Sequence, residues 1–232
     1  MDVTPGPDGV YWMYFSAVAK PSKNSEKHCI GFATSMDPMG PFEPNSDEPW
    51  VCDSETGDID PDQFLDDDGT RWVTWKVDGN SEGRDTPIML QQVNADDGYT
   101  KIGDAKEILN RDEIDGPLIE APSLFKMDGI YFLSFSSNMY DNCDYAGSFA
   151  TSKSVTGPYK KAQHPNAPIL TKNTEGLCGP GGADMIVVPN SVNIMVFHGW
   201  NAEKTKRYMY ATAADLSYGL IKLFRGDHFS KA

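Results

Sequence analysis

Asp68-Gly69-Thr70-Arg71-Trp72-Val73-Thr74-Trp75 decides the fold, because its pattern returns along the chain. It recurs as Asp8-Gly9-Val10-Tyr11-Trp12-Met13-Tyr14-Phe15-Ser16 and as Asp128-Gly129-Ile130-Tyr131-Phe132-Leu133-Ser134-Phe135-Ser136. A weaker copy is Asn190-Ser191-Val192-Asn193-Ile194-Met195-Val196-Phe197-His198. Starts at 8, 68, 128 and 190 give intervals of 60, 60 and 62 residues. Asp-Gly and Asn-Ser suit tight hairpin turns, and the aromatic and β-branched runs behind them suit strands. A sustained period marks a repeat architecture.

A third strand follows in each unit. It reads Ile30-Gly31-Phe32-Ala33-Thr34-Ser35, Ser148-Phe149-Ala150-Thr151-Ser152 and Met209-Tyr210-Ala211-Thr212-Ala213, with Met89-Leu90-Gln91-Gln92-Val93 in the remaining repeat. Gly40-Pro41-Phe42 and Gly157-Pro158-Tyr159 then turn into a short outer strand. Four antiparallel strands per unit make the blade of a β-propeller. The expectation is an all-β, single-domain propeller with blades at approximately 1–57, 58–115, 116–175 and 176–232. A β-sandwich with coincidental spacing is the alternative. With 21 Gly and 16 Pro, long amphipathic helices are not expected.

The 232 residues suffice for a sizeable core. A formal net charge of −14 repels phosphate backbones and anionic lipid, which argues against nucleic acid or a membrane as partner and leaves neutral sugars open. No apolar run approaches the roughly 18–20 residues of a membrane span, and the first residues show no signal peptide. Cys29, Cys52, Cys143 and Cys178 form no C-x-x-C pair, so a zinc knuckle is not indicated. Two disulfides in any of three pairings are open, with Cys29–Cys52 favoured because its loop stays within one repeat. Four buried thiols are the other reading. The chain has no N-x-Ser/Thr sequon.

Counting eight residues back from each turn gives Asp60, Glu120 and Gly182, and in the first repeat a position just ahead of Met1. Inner strands of a propeller converge on its channel, so Asp60 and Glu120 are expected to share a site. Two carboxylates in a dry channel do not both ionise freely, and a neutral one near pH 7 can protonate a leaving glycosidic oxygen. Glu120, among Leu118, Ile119, Ala121 and Pro122, suits the acid; Asp60, near Asp66-Asp67-Asp68, suits the charged partner. The ordinary alternatives are an Asp-Pro turn cap and a salt-bridged core glutamate.

Asp60-Pro61 with Phe64-Leu65-Asp66-Asp67-Asp68-Gly69 resembles the "DP…F.DDDG" signature of glycoside hydrolase family 43. Gly116-Pro117-Leu118-Ile119-Glu120-Ala121-Pro122 resembles the segment carrying that family's general acid. His28-Cys29-Ile30-Gly31-Phe32-Ala33-Thr34-Ser35, Gly179-Pro180-Gly181-Gly182 and Val196-Phe197-His198-Gly199-Trp200 are also similar. The resemblance covers essentially the whole chain. It implies a five-bladed propeller that hydrolyses arabinose- or xylose-containing saccharides of plant cell walls by inversion, outside the cell, as a monomer and without a cofactor.

Carried over, Glu120 is the general acid and Asp60 the aspartate that tunes its pKa and orients it. The family's base aspartate lies in a first blade. Met1-Asp2-Val3 resembles the start of the second, so the base is expected to be absent from this chain and catalysis impaired. Asp2 matches a structural aspartate instead. Gly182 stands where many members place a histidine near a central metal or water, so calcium is not expected. Arg207 resembles an arginine that contacts sugar hydroxyls, with a solvated strand-end charge as the alternative. Trp75 and Phe135 are candidates for stacking on a sugar face, set against packing within the blade. Lys76, with Asp78 and Asn80, is a candidate for the channel mouth, set against an exposed loop. His198 reads as a core histidine. Rival functions are a non-catalytic carbohydrate-binding propeller, an inactive fragment, and a related fructan-active propeller that retains configuration.

Overall fold

The computed structural model describes residues 1–19, 27–174, 176–188, 191–201, 203–224 and 230–231. Asn190, which opens the fourth copy of the repeat, lies outside them. The chain is all-β, of the β-propeller class that the repeat predicts, with one antiparallel blade per repeat. The first sheet orders β1 (Asp2–Pro5), β2 (Tyr11–Val18), β3 (His28–Ser35) and β4 (Glu43–Pro44) side by side. The second holds β5 (Asp58–Leu65), β6 (Arg71–Val77), β7 (Ile88–Val93) and β8 (Lys101–Leu109). The third holds β9 (Ile119–Met127), β10 (Ile130–Ser137), β11 (Ala146–Ser152) and β12 (Lys160–Lys161). The fourth holds β13 (Cys178–Ile186), β14 (Asn193–Trp200), β15 (Arg207–Asp215) and β16 (Lys222–Leu223), with β17 (Ser230–Lys231) also pairing with β15.

The chain divides into two compact units, Met1–Asn110 and Arg111–Ala232. In the first, the aromatic strands of the repeat build the core: Trp12, Tyr14, Phe32, Trp50 and Trp75 pack with Ile30, Val73 and Val93. Edge-to-face contacts join Trp50 to Tyr14 at 4.8 Å and to Trp75 at 5.8 Å between ring centroids. In the second unit, Phe125, Phe132, Phe149 and Phe197 pack with Met185, Met195, Leu170 and Leu216. Each unit has one disulfide, Cys29–Cys52 in the first and Cys143–Cys178 in the second. The pairing favoured from sequence is thus one of the two formed.

Strand register revises the count made from the turns. The turn between β5 and β6 holds three residues, Asp67-Asp68-Gly69, closed by Asp66 N–H donating to the Thr70 carbonyl at 2.9 Å. The turn between β9 and β10 holds two, because Met127 pairs directly with Ile130. Eight residues back therefore reaches different places in the two ladders. Asp60 and Pro61 lie between the pairs Ile59–Lys76 and Asp62–Thr74, a bulge opposite Trp75. Ala121 and Pro122 form the matching bulge opposite Phe135, and Gly182 and Ala183 the one opposite Phe197. Asp60, Ala121 and Gly182 all sit in the left-handed region, with φ of 57°, 50° and 59°. Asp60 is thus equivalent to Ala121, and Glu120 precedes its bulge, equivalent to Ile59 and Gly181.

A bulge leaves one backbone amide outside the ladder, and that amide needs another acceptor. Asp60 N–H donates to Ser16 Oγ at 3.1 Å, and Gly182 N–H to Ser136 Oγ at 2.7 Å. Both serines occupy the last part of the second strand of the preceding sheet, so one device links consecutive sheets in each unit. Glycine adopts this backbone freely and aspartate tolerates it, whereas alanine is strained there by about 1 kcal/mol. Ala121→Gly should accordingly raise the unfolding free energy by about 1 kcal/mol, read from urea denaturation. An unchanged or lowered midpoint would contradict strain at this bulge.

Candidate functional site

In the second unit the chemistry gathers around Tyr145, which immediately precedes β11 and is buried at 2% exposure. Its hydroxyl donates to Glu120 Oε1 at 2.8 Å. Glu120 is half-buried and pairs across the ladder with the buried Ser136, so its carboxyl leaves the sheet beside the bulge. One face of the Tyr145 ring stacks on His198 at 6.2 Å and 9° between planes. The Arg207 guanidinium lies 5.4 Å from the same ring and 5.5 Å from that of Trp200.

Arg207, the first residue of β15, pairs with Trp200, the last of β14. Its Nε donates to His198 Nδ1 at 2.9 Å, Nη1 to the Tyr140 carbonyl at 2.7 Å and Nη2 to the Gly179 carbonyl at 2.7 Å. The guanidinium is a clamp on three segments rather than a solvated strand-end charge, and Glu120 lies within its field. Burial and then the adjacent Arg207 charge push the His198 pKa down to about 4. The Cys143–Cys178 bridge ties the segment between β10 and β11, which carries Tyr140 and Tyr145, to the start of β13. Sequence reading missed Tyr145; no motif marks it, since its role comes from a cross-strand meeting with Glu120.

In the first unit Asp60 is half-buried on its bulge, with its amide held by Ser16. Asp2 has its carboxylate engaged by Gln63, which donates through its backbone N at 3.0 Å and through Nε2 at 3.2 Å. Lys76 corrects the expectation of an exposed loop: it is 1% exposed, with Nζ on Asp78 Oδ1 at 2.9 Å and Asn80 Oδ1 at 2.7 Å. Nor do Trp75 and Phe135 offer a face to a sugar, being 3% and 2% exposed. Trp75 packs on Trp50 and donates Nε1 to Asp58 Oδ1 at 2.8 Å, while Lys161 Nζ covers the Phe135 ring at 5.6 Å. The cause is common to both: each ring fills the space opposite a bulge.

Asp58, unmarked by the sequence, has its pKa raised to about 6 because burial disfavours its charge; hydrogen bonds from Asp53 N–H and Trp75 only partly offset this. A cavity of about 410 Å³ in the second unit is lined by Asp115, Asn138, Asp144, Lys161, His164 and Lys172, among others. None of Glu120, Tyr145, His198 or Arg207 lines it, and its Lys161 is already paired with Asp115 and Asp112. The cavity and the cluster around Tyr145 are thus separate groups of residues.

Two tests follow from these contacts. Tyr145→Phe removes only the O–H on Glu120 and should lower the unfolding free energy by about 1 kcal/mol; no change would mean that the bond carries nothing. Folded Asp58 keeps its proton to about pH 6, whereas unfolded it loses it near 3.8. The folded state therefore binds more protons in that window, and its stability falls as pH rises through it. The loss should be on the order of 2 kcal/mol and absent from Asp58→Asn, measured by urea titration at pH 4 to 6.5.

The description "Glycosyl hydrolases family 43" belongs to the family model that matches residues 6–215. The extracellular endo-alpha-(1->5)-L-arabinanase 1 of Bacillus subtilis (strain 168) is 28% identical over 211 residues, 84% of this chain and 59% of that protein. The beta-D-galactofuranosidase xynD of Aspergillus niger is 25% identical over 213 residues, 90% of this chain and 56% of that protein. The chain thus spans less than two thirds of the length of these relatives. A thermostable family-43 glycoside hydrolase of known structure superposes with a TM-score of 0.83 at 24% identity, over 99% of this chain and 75% of that one.

Proposed function

Because the chain belongs to glycosyl hydrolase family 43, we propose that it carries the acid half of an inverting glycosidase site for arabinose- or xylose-containing saccharides. Glu120 protonates the leaving glycosidic oxygen; the family resemblance gives Asp60 the role of the pKa-tuning aspartate. The observation that supports the acid role best is the seating of Glu120. It lies next to a strained bulge, half-buried, with Oε1 held by the Tyr145 O–H. Inversion also needs a base that activates water on the far face of the sugar, about 6.5–9.5 Å from the acid. In this reading Asp2 keeps a structural role, in keeping with the two hydrogen bonds that Gln63 donates to its Oδ2. The 232 residues taken alone therefore hydrolyse unassisted substrates slowly. An extracellular setting fits the two disulfides and the word "Extracellular" in the names of the Bacillus relatives.

Aryl α-arabinofuranosides and β-xylosides with added azide test this reading. Azide replaces the missing water activation by attacking the anomeric carbon directly, so turnover should rise with azide and give a glycosyl azide of inverted configuration. Glu120→Gln should abolish cleavage of oligosaccharides, whose leaving groups need a proton, and spare aryl glycosides with acidic leaving groups. Azide-independent cleavage of natural oligosaccharides at an ordinary rate, or a Glu120→Gln variant as active as the parent on oligosaccharides in the presence of azide, would defeat the proposal.

A further inference from the structure

Position 198 has equivalents in the other sheets. His198 pairs with Gly181 across its ladder, as Ser136 pairs with Glu120 and Lys76 with Ile59. Ser136, and Ser16 in the first sheet, use a hydroxyl there to accept the bulge amide of the following sheet. His198 does something else. Its Nε2 lies only 2.3 Å from where a Cβ on Gly182 would stand, so the ring reaches across the bulge of its own sheet. Gly182 admits it by having no side chain: a Cβ there would press on the ring, at a φ of 59° that side-chain-bearing residues rarely adopt.

The protonation of that ring is decided by its neighbours. Nδ1 accepts from Arg207 Nε at 2.9 Å and lies 2.6 Å from Arg207 Nη2. A guanidinium has only donors and keeps its proton, so Nδ1 must offer a lone pair and the imidazole hydrogen must sit on Nε2. A second proton on Nδ1 would set an imidazolium against Arg207. The groups facing the ring are Arg207 from β15 and Tyr145 ahead of β11, with Glu120 of β9 on the far end of Tyr145. Among the described residues no acceptor meets Nε2. One tyrosine thus separates a carboxyl from a fixed, uncharged N–H donor that has no acceptor of its own.

We propose that His198 is a specificity-determining contact, donating Nε2–H to a hydroxyl of the saccharide held against Glu120. The inference rests on the carbohydrate reading of this site. An uncharged donor suits a neutral sugar, and because its own acceptor side is closed by Arg207 it orients the hydroxyl without competing for the proton of Glu120. A donor fixed in direction at this half-buried place favours a sugar whose hydroxyl meets it over one that lacks that hydroxyl.

Calorimetry with arabino- and xylo-oligosaccharides on the full chain tests it, together with His198→Phe and His198→Gln. Phenylalanine keeps a ring over Gly182 and beside Tyr145 but has no donor; glutamine can accept from Arg207 and still present an N–H. Affinity should fall roughly tenfold in His198→Phe and be largely restored in His198→Gln. Imidazole nitrogen NMR should find the Nε2–H tautomer from pH 5 to 8, with that signal moving on addition of saccharide. Equal affinity of His198→Phe and the parent, an equal loss in both variants, or an Nδ1–H or charged ring in that range overturns this inference and leaves the carbohydrate reading standing. A parent chain that binds no saccharide overturns both.

Discussion

The inner strands of this chain depend on one hydrogen bond made twice. Where the first strand of a sheet takes in an extra residue, its amide leaves the ladder and is caught by a serine hydroxyl of the sheet before it. Ser16 holds Asp60 and Ser136 holds Gly182. A buried amide without a partner costs about 1–3 kcal/mol, so the bulge and the serine stand or fall together. The bulge in turn sets the aim of the residues around it. Asp60 lies on one, and Glu120 lies immediately before another. The aromatic residue opposite each bulge fills the space that the extra residue opens, which is why Trp75, Phe135 and Phe197 are buried.

Charge is distributed sparingly around this frame. Arg207 spends its guanidinium on His198 and on the backbone carbonyls of Tyr140 and Gly179. Lys76 is likewise spent on Asp78 and Asn80. Around Tyr145 stand one carboxyl, Glu120, and the imidazole of His198, whose Nδ1 accepts from Arg207. Asp58 shows the opposite use of a carboxyl. Buried beneath Trp75, it closes the loop before β5 and is held near protonation by its surroundings rather than by any chemistry of the site.

The blades were legible in the sequence because turn chemistry and aromatic alternation are local properties, repeated at Asp8, Asp68 and Asp128. Glu120 and Asp60 were legible as candidates for the same reason. Their exact correspondence was not. A three-residue turn and a two-residue turn both end in Asp-Gly, and only pairing across the ladder separates them. Contacts made across strands were also hidden: Tyr145 with Glu120, and Arg207 with His198, join residues 25 and 9 apart with no motif between them. Lys76 read as a loop residue because a lysine after an aromatic strand is normally solvated, and its burial follows from two acceptors, Asp78 and Asn80, that the next turn brings back to it.

The serine links also carry a timetable. Ser16 lies 44 residues ahead of the amide it receives, and Ser136 lies 46 ahead of its own. At roughly 5–20 residues per second, a ribosome needs several seconds to make that intervening chain. Until it does, the inner edge of each completed hairpin has no amide to hold. Each sheet can therefore form its own ladder on emergence, but the strand that faces the bulge is fastened only by the arrival of the following sheet.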